Sequence, residues 1–216
     1  MLTLNIPGEG KAPLKILCLG AHADDIEIGC GGTLLRVLSG NSSAEIVWVV
    51  FSATKERELE ARNSAEKFLA VTKSKEIFIK DFRDGFFPFD GANIKEFFEN
   101  LKRVSPDLIF THYGKDAHQD HRLISELTRN TFRDHLILEY EIPKYDGDLG
   151  RPSLFLPLDS NLFQRKVDFI MDGFPSQHRK RWFQRETFLS LMRLRGMECN
   201  APSGYAEAFY CRKIVL

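Results

Sequence analysis

Apolar residues follow two alternating rhythms along this chain. Lys15-Ile-Leu-Cys-Leu-Gly20 and Glu45-Ile-Val-Trp-Val-Val-Phe51 are short runs in which almost every position is apolar, the pattern of strands covered on both faces. Glu76-Ile-Phe-Ile-Lys80 and Asp107-Leu-Ile-Phe-Thr111 continue the series. Between these runs the spacing changes to three and four. A helix is predicted from Gly31 to Leu38, closed by Gly40 and Asn41, and a charged one from about Lys55 to Ala70, with Leu59, Ala65, Phe68 and Leu69 turned inward. A third is predicted from an Asp90 cap to about Val104, with Ile94, Phe97, Phe98 and Leu101 on one side and Pro106 ending it. Strand and helix in turn predict βαβ units: an α/β fold with a doubly wound, mainly parallel sheet and helices on both faces.

Beyond Asn130 the alternation is less regular. Ile137 to Glu141, Leu154 to Leu156 and Ala206 to Val215 read as strands, and Asp159 to Met171 and Arg181 to Arg195 as helices. The stretch from about Tyr140 to Gly204 is expected to supply loops that face a ligand, because open α/β sheets bind beyond the C-terminal ends of their strands. No repeat or linker divides the 216 residues, and one domain over 1–216 is expected.

Composition narrows the partners. Thirty basic residues balance thirty acidic ones, so nothing draws the chain generally to nucleic acid or an anionic membrane, and a small-molecule substrate is expected. The run His178-Arg-Lys-Arg181 is at most a local anion patch and more simply a solvated helix start. Cys18, Cys30, Cys199 and Cys211 form no CxxC pair, which fits a reducing compartment. Met1 to Gly10 lacks the pattern of a secretory leader, and no apolar run reaches the roughly 18 residues of a membrane span, so a cytoplasmic location is expected.

Two motifs carry the chemistry. Ala21-His22-Ala-Asp24-Asp25-Ile-Glu27 follows the first strand directly, and Asp116-Ala-His118-Gln-Asp120-His121 follows the fourth and opens a helix. Imidazole and carboxylate suit Zn²⁺; His22, Asp25 and His121 offer three ligands and leave a position for water, the arrangement of a catalytic site. Asp24, not spent on the ion, is the expected general base. His118, held by Asp120 and protonated, is the expected oxyanion partner. Either motif alone is weak, since His-x-Asp-Asp can be a helix cap and His-x-x-His a surface accident. Their placement at two turns of one predicted sheet gives the pair its force.

On these residues the chain resembles the LmbE-like, or PIG-L-like, deacetylase family, whose signatures His-Pro-Asp-Asp-x-Glu and His-x-Asp-His stand here as His22-Ala-Asp-Asp-Ile-Glu27 and His118-Gln-Asp-His121. The strand Asp107 to His112 and, more loosely, Tyr205-Ala-Glu-Ala-Phe209 extend the resemblance. It implies a Rossmann-like fold, zinc on His22, Asp25 and His121, Asp24 as base, His118 as electrostatic partner, and mostly N-acetylglucosaminyl substrates. Self-association, common in that family, is the accompanying expectation. Ala23 replaces the family's proline, which loosens the turn without removing a ligand.

The same resemblance places an Arg-x-x-Glu element at Arg57 and Glu60, where the arginine could clamp an anionic group, and an Asp-Gly near the sugar pocket at Asp84-Gly85. An intrahelical ion pair and a plain turn are the structural readings of the same residues. Phe82, Phe86, Phe87 and Phe89 are candidates for a platform or a core plug, Gln177 and His178 for a lid, and His112 and His135 for structural roles. The expected function is zinc-dependent removal of an N-acetyl group from an amino sugar. The alternatives are a metal-dependent phosphoesterase, for which Asp24, Asp120 and His118 would have to form a second ligand set, and an inert sugar- or nucleotide-binding module.

Overall fold

The computed structural model describes residues 13–215; the reading of Met1 to Gly10 lies outside them. Seven strands form one sheet in the order β3-β2-β1-β4-β5-β7-β6. They are β1 (Lys15–His22), β2 (Glu45–Ser52), β3 (Ser74–Ile79), β4 (Leu108–His112), β5 (Leu136–Tyr140), β6 (Leu154–Pro157) and β7 (Ala206–Cys211). The first five are parallel, and β7 runs antiparallel between β5 and β6. The helices are α1 (Asp25–Gly40), α2 (Lys55–Phe68), α3 (Gly91–Leu101), α4 (Gln119–Thr131), α5 (Ser160–Gly173) and α6 (Arg185–Glu198).

Period two in the strands sorts the core into two layers. Ile16 and Cys18 of β1 join the residues of α1, α2, α5 and α6 on one face, while Leu17 and Leu19 join Ile94, Phe98 and Ile124 of α3 and α4 on the other. The strand order reverses between β1 and β4, so the loops after these two strands diverge and leave a crevice where both motifs lie.

Several expectations change in detail: α1 begins at Asp25 rather than Gly31, α6 at Arg185 rather than Arg181, and β7 ends at Cys211 rather than Val215. Leu59 is 62% exposed, and α2 instead buries Glu60, Ala61, Ser64, Ala65 and Phe68. Glu60 turns inward because it has partners there: its carboxylate accepts from the Ser176 N–H at 2.8 Å and the Ser176 hydroxyl at 2.7 Å. Asp90 precedes α3 without capping its backbone; its Oδ1 accepts from the Asn93 side chain. The helix before Pro106 ends at Leu101 and tightens into a 3₁₀ turn, Lys102–Val104.

The motif helix α1 is buried on nearly all sides, which its glycines allow. A Cβ on Gly32 would stand 2.6 Å from Leu158 and 3.0 Å from the Glu207 carboxylate. With that space open, Glu207 accepts from the Gly32 and Thr33 N–H groups at 2.8 and 2.6 Å, and Lys166 bridges Glu207 to the Ile28 carbonyl. A buried ion pair satisfied by backbone groups on all sides fixes where α1 begins and thus where Asp24 and Asp25 stand.

Candidate metal centre

His22 is the last residue of β1, Asp24 and Asp25 start α1, His118 caps α4 and His121 lies in its first turn. Chain reversal at the switch point brings them together. His22 Nδ1 lies 3.1 Å from His121 Nε2 and 3.4 Å from Asp25 Oδ2, and His121 Nε2 lies 3.6 Å from the same carboxylate oxygen. Tetrahedral zinc with bonds of about 2.0–2.1 Å spaces its ligand atoms by about 3.3–3.4 Å, so this triangle fits the ion.

Outer hydrogen bonds decide which nitrogens face inward. His121 Nδ1 meets Asp116 Oδ2 at 3.0 Å, which makes Nδ1–H the donor and turns the Nε2 lone pair to the centre. His22 Nε2 meets Asp84 Oδ1 at 3.0 Å and Asp120 Oδ2 at 3.3 Å, leaving Nδ1 to face the centre. Two imidazole nitrogens and a carboxylate oxygen thus converge at 3.1–3.6 Å, an arrangement able to hold a cation between them.

The protonation tendencies differ between the two histidines. Burial, with His112 alongside, pushes the His121 imidazole down to about 4, so it is neutral as a ligand must be. Burial opposes charge on Asp25, but the surrounding imidazoles outweigh it and hold its carboxyl well below the usual range. Burial likewise disfavours charge on His22, yet Asp120, Asp25 and Asp84 prevail and raise it well above an ordinary histidine.

Asp24 is buried beside the triangle. Burial raises its carboxyl, and the Arg57 guanidinium, 3.1 Å from Oδ2, works in the opposite direction. Arg57 forms the intrahelical pair with Glu60 that was one of its two sequence readings, at 2.9 Å, and is shared with Asp24 while lying over the Phe174 ring. Asp84, expected near the substrate pocket, meets His22 with its carboxylate.

Asp120 does not hold His118 with its carboxylate. That group is fully buried and accepts from the Gly85 and Phe87 N–H groups at 2.6 and 3.1 Å, fixing the loop that presents Asp84. Its backbone N–H is what reaches the His118 ring, at Nδ1, 3.3 Å away. An Nδ1 that accepts leaves the proton on Nε2, so His118 serves as a neutral donor; burial, with His22 nearby, lowers its pKa.

Of the remaining sequence candidates, Phe87 is buried and stacks near His22, whereas Phe89 is exposed. Gln177 is buried and bonded to Ser176. His112, read as structural, accepts from the Ala21 N–H at 2.9 Å, lies 3.2 Å from Asp25 Oδ2 and stacks on His121. Two roles were not assigned from the sequence: Asp116, the first residue of the second motif, orients His121, and Lys144 reaches Asp116 Oδ2 at 3.0 Å from the loop after β5.

A mainly parallel α/β sheet with a histidine–aspartate cluster at its switch point, able to hold a metal, defines the class. The chain belongs to the PIG-L family: the family described as GlcNAc-PI de-N-acetylase matches residues 17–132, more than half of the chain. Among solved structures it is similar to the conserved protein TT1542 from Thermus thermophilus, with TM-score 0.74 and 21% identity over 94% of this chain and 96% of that one. It is also similar to N,N'-diacetylchitobiose deacetylase from Pyrococcus horikoshii, with TM-score 0.71 and 19% identity over 91% and 83%. A third is GalB, the 4-carboxy-2-hydroxymuconate hydratase from Pseudomonas putida, with TM-score 0.73 and 17% identity over 94% and 98%. At these identities the likeness is one of fold. Among the described residues no helix is long and apolar enough to cross a membrane.

Proposed function

We propose that the chain is a zinc-dependent N-deacetylase that hydrolyses the acetamide of an N-acetylglucosaminyl-type substrate. The observation that carries this reading is the convergence of His22 Nδ1, His121 Nε2 and Asp25 Oδ2 on one point, with Asp24 buried at the preceding position of the same turn. Those three residues would hold the ion, and bound there it would supply a Lewis acid and make hydroxide accessible near neutral pH.

The chain's own groups then divide the work. Asp24, raised by burial, takes the proton of the attacking water. Arg57 keeps that carboxylate turned toward the centre and is itself held by Glu60. His118 donates its Nε2 proton to the oxygen of the acetamide as negative charge develops there, and its cap bond to Asp120 N–H keeps the ring in the donating tautomer. Asp24 is then placed to return its proton to the departing amine.

The family description and the chitobiose deacetylase support the amino-sugar substrate. The phosphoesterase reading finds no support in Asp24, which pairs with Arg57 and stands outside the cluster of His22, Asp84, His118 and Asp120. The test is acetate release from a panel of N-acetylglucosaminyl compounds by metal-stripped protein with and without zinc. Zinc-restored release is expected, and bound zinc without release from any member of the panel counts against the proposal.

A further inference from the structure

Two carboxylates compete for one proton at the outer side of His22. Asp84 Oδ1 and Asp120 Oδ2 stand 3.0 and 3.3 Å from the same Nε2, and one imidazole N–H cannot satisfy both. Asp120 has the Gly85 and Phe87 N–H groups as well. Asp84 has no second cationic partner among the described residues, and its side chain is 73% exposed on the solvent side of the cluster. The His118 ring completes the group: ligand atoms of His22, Asp84, His118 and Asp120 all lie within 4.8 Å of one another.

This set shares His22 and His118 with the inner cluster, where ligand atoms of His22, His118 and His121 also group together, but it meets His22 at its other nitrogen. The triangle uses His22 Nδ1, whereas Asp84 and Asp120 gather at Nε2, across the ring. The outer donors are two carboxylates and an imidazole, which suits first-row divalent cations such as Zn²⁺ or Mn²⁺. It also has an open approach from solvent through Asp84.

We propose that Asp84, Asp120 and His118 form a second, outer divalent-cation site, which fills after the inner one and blocks turnover by taking His118. The blockade rests on the deacetylase reading above; the site itself does not. Because the His22 ring stands between the two donor sets, the pair does not have the directly bridged character of hydrolytic two-metal centres, whose ions lie about 3.5–4 Å apart. The outer ion is thus an inhibitor, and His118, which would otherwise donate to the acetamide oxygen, is the group it removes.

The experiment is calorimetric titration of the chelator-stripped full chain with Zn²⁺, with metal content measured after desalting. Two binding steps are expected, the second weaker. Asp84→Asn should lose the second step, or weaken it by at least about 10-fold, and weaken the first less, since Asp120 still meets His22 Nε2; exposure of the Asp84 side chain keeps the fold out of the result. His121→Ala should lose the first and keep the second. Saturation at one equivalent, or a second step unaltered in Asp84→Asn, overturns the site.

Acetate release measured across the same titration tests the blockade. It should rise to one equivalent and fall several-fold beyond it, and in Asp84→Asn the ratio of activity at two equivalents to that at one should return to about unity. Equal wild-type release at one and two equivalents overturns the blockade. Two binding steps in a protein that releases no acetate would leave the outer site standing and remove the deacetylase reading instead.

Discussion

The Asp116 carboxylate meets Nδ1 of His121 at 3.0 Å, and this pairing fixes which histidine nitrogen faces the metal centre. Lys144, 3.0 Å from the same oxygen, holds the carboxylate in place from a loop far along the chain. Outer partners of this type contribute about 10–100-fold to metal affinity. Asp116→Ala is therefore expected to bind zinc about 10–100-fold more weakly, measured by competition with a chromogenic chelator. Unchanged affinity would separate Asp116 from the centre. Lys144→Met should produce a smaller loss in the same direction, since it removes a support of Asp116 and leaves the Asp116–His121 bond.

Asp24 and His118 are expected to separate metal binding from turnover. Asp24→Asn keeps the shape of the side chain but cannot take a proton, so zinc should bind while kcat falls by about 10²–10⁴. His118→Ala removes one donor to the developing oxyanion, and a loss of about 10²–10³ in kcat is expected with zinc retained. Steady-state kinetics beside metal analysis checks both. An Asp24→Asn variant that turns over normally would exclude it as the base.

Arg57→Met tests how the base is held. Its partners are the Asp24 and Glu60 carboxylates, so the variant should lower kcat with little change in KM. If KM rises and kcat is unchanged, Arg57 binds substrate, the other of its two sequence readings.

Arg57 shows where sequence and structure part. The β1 and β4 runs were legible because strands covered on both faces must be apolar throughout, and their motifs stood out because each sits at the following turn. The partners of those motif residues were not legible. Glu60 reads as a solvent-facing charge in α2, yet it is buried because Ser176, 116 positions later, supplies two donors. Asp116 and Lys144 meet only after β5 has been laid beside β4, and the insertion of β7 between β5 and β6 depends on pairings no local spacing records. His118 was read with Asp120 as its partner, and the contact is made by the Asp120 backbone N–H, an atom no sequence motif specifies.

Glu27 couples stability to pH. Its side chain is fully buried, neither carboxylate oxygen has a partner within hydrogen-bond geometry among the described residues, and burial, outweighing the nearby Ser64 hydroxyl, pushes its pKa from 4.5 to about 8. Below about 4.5 the group is protonated both folded and unfolded, and its contribution to stability is complete. As pH rises toward about 8 the unfolded chain releases a proton that the folded chain keeps, so stability falls across that window. Glu27→Gln carries no such proton and should flatten the decline, read from urea midpoints between about pH 5 and 8 in metal-free protein so that no bound ion enters the balance. Parallel declines in variant and wild type would assign the effect to other groups.

Gly29 offers the sharpest test of how the motif helix is seated. A Cβ there would stand 2.1 Å from Cδ2 of Tyr140, whose ring is wholly buried against α1 and whose hydroxyl donates to the Leu19 carbonyl at 2.7 Å. Neither side can give: the tyrosine is tied to β1 by that bond, and α1 is fixed by the Glu207–Lys166 pair. Gly29→Ala should cost about 1–3 kcal/mol or more in stability, although alanine favours helix, because overpacking outweighs helix propensity here. Tyr140→Ala leaves a cavity and is destabilising alone. In the double variant the new methyl meets empty space, so the combined loss should fall short of the sum of the two by well over about 0.5 kcal/mol. Strict additivity in chemical denaturation would mean that the helix does not rest on Tyr140, and the placement of Asp24 and Asp25 would then need another support.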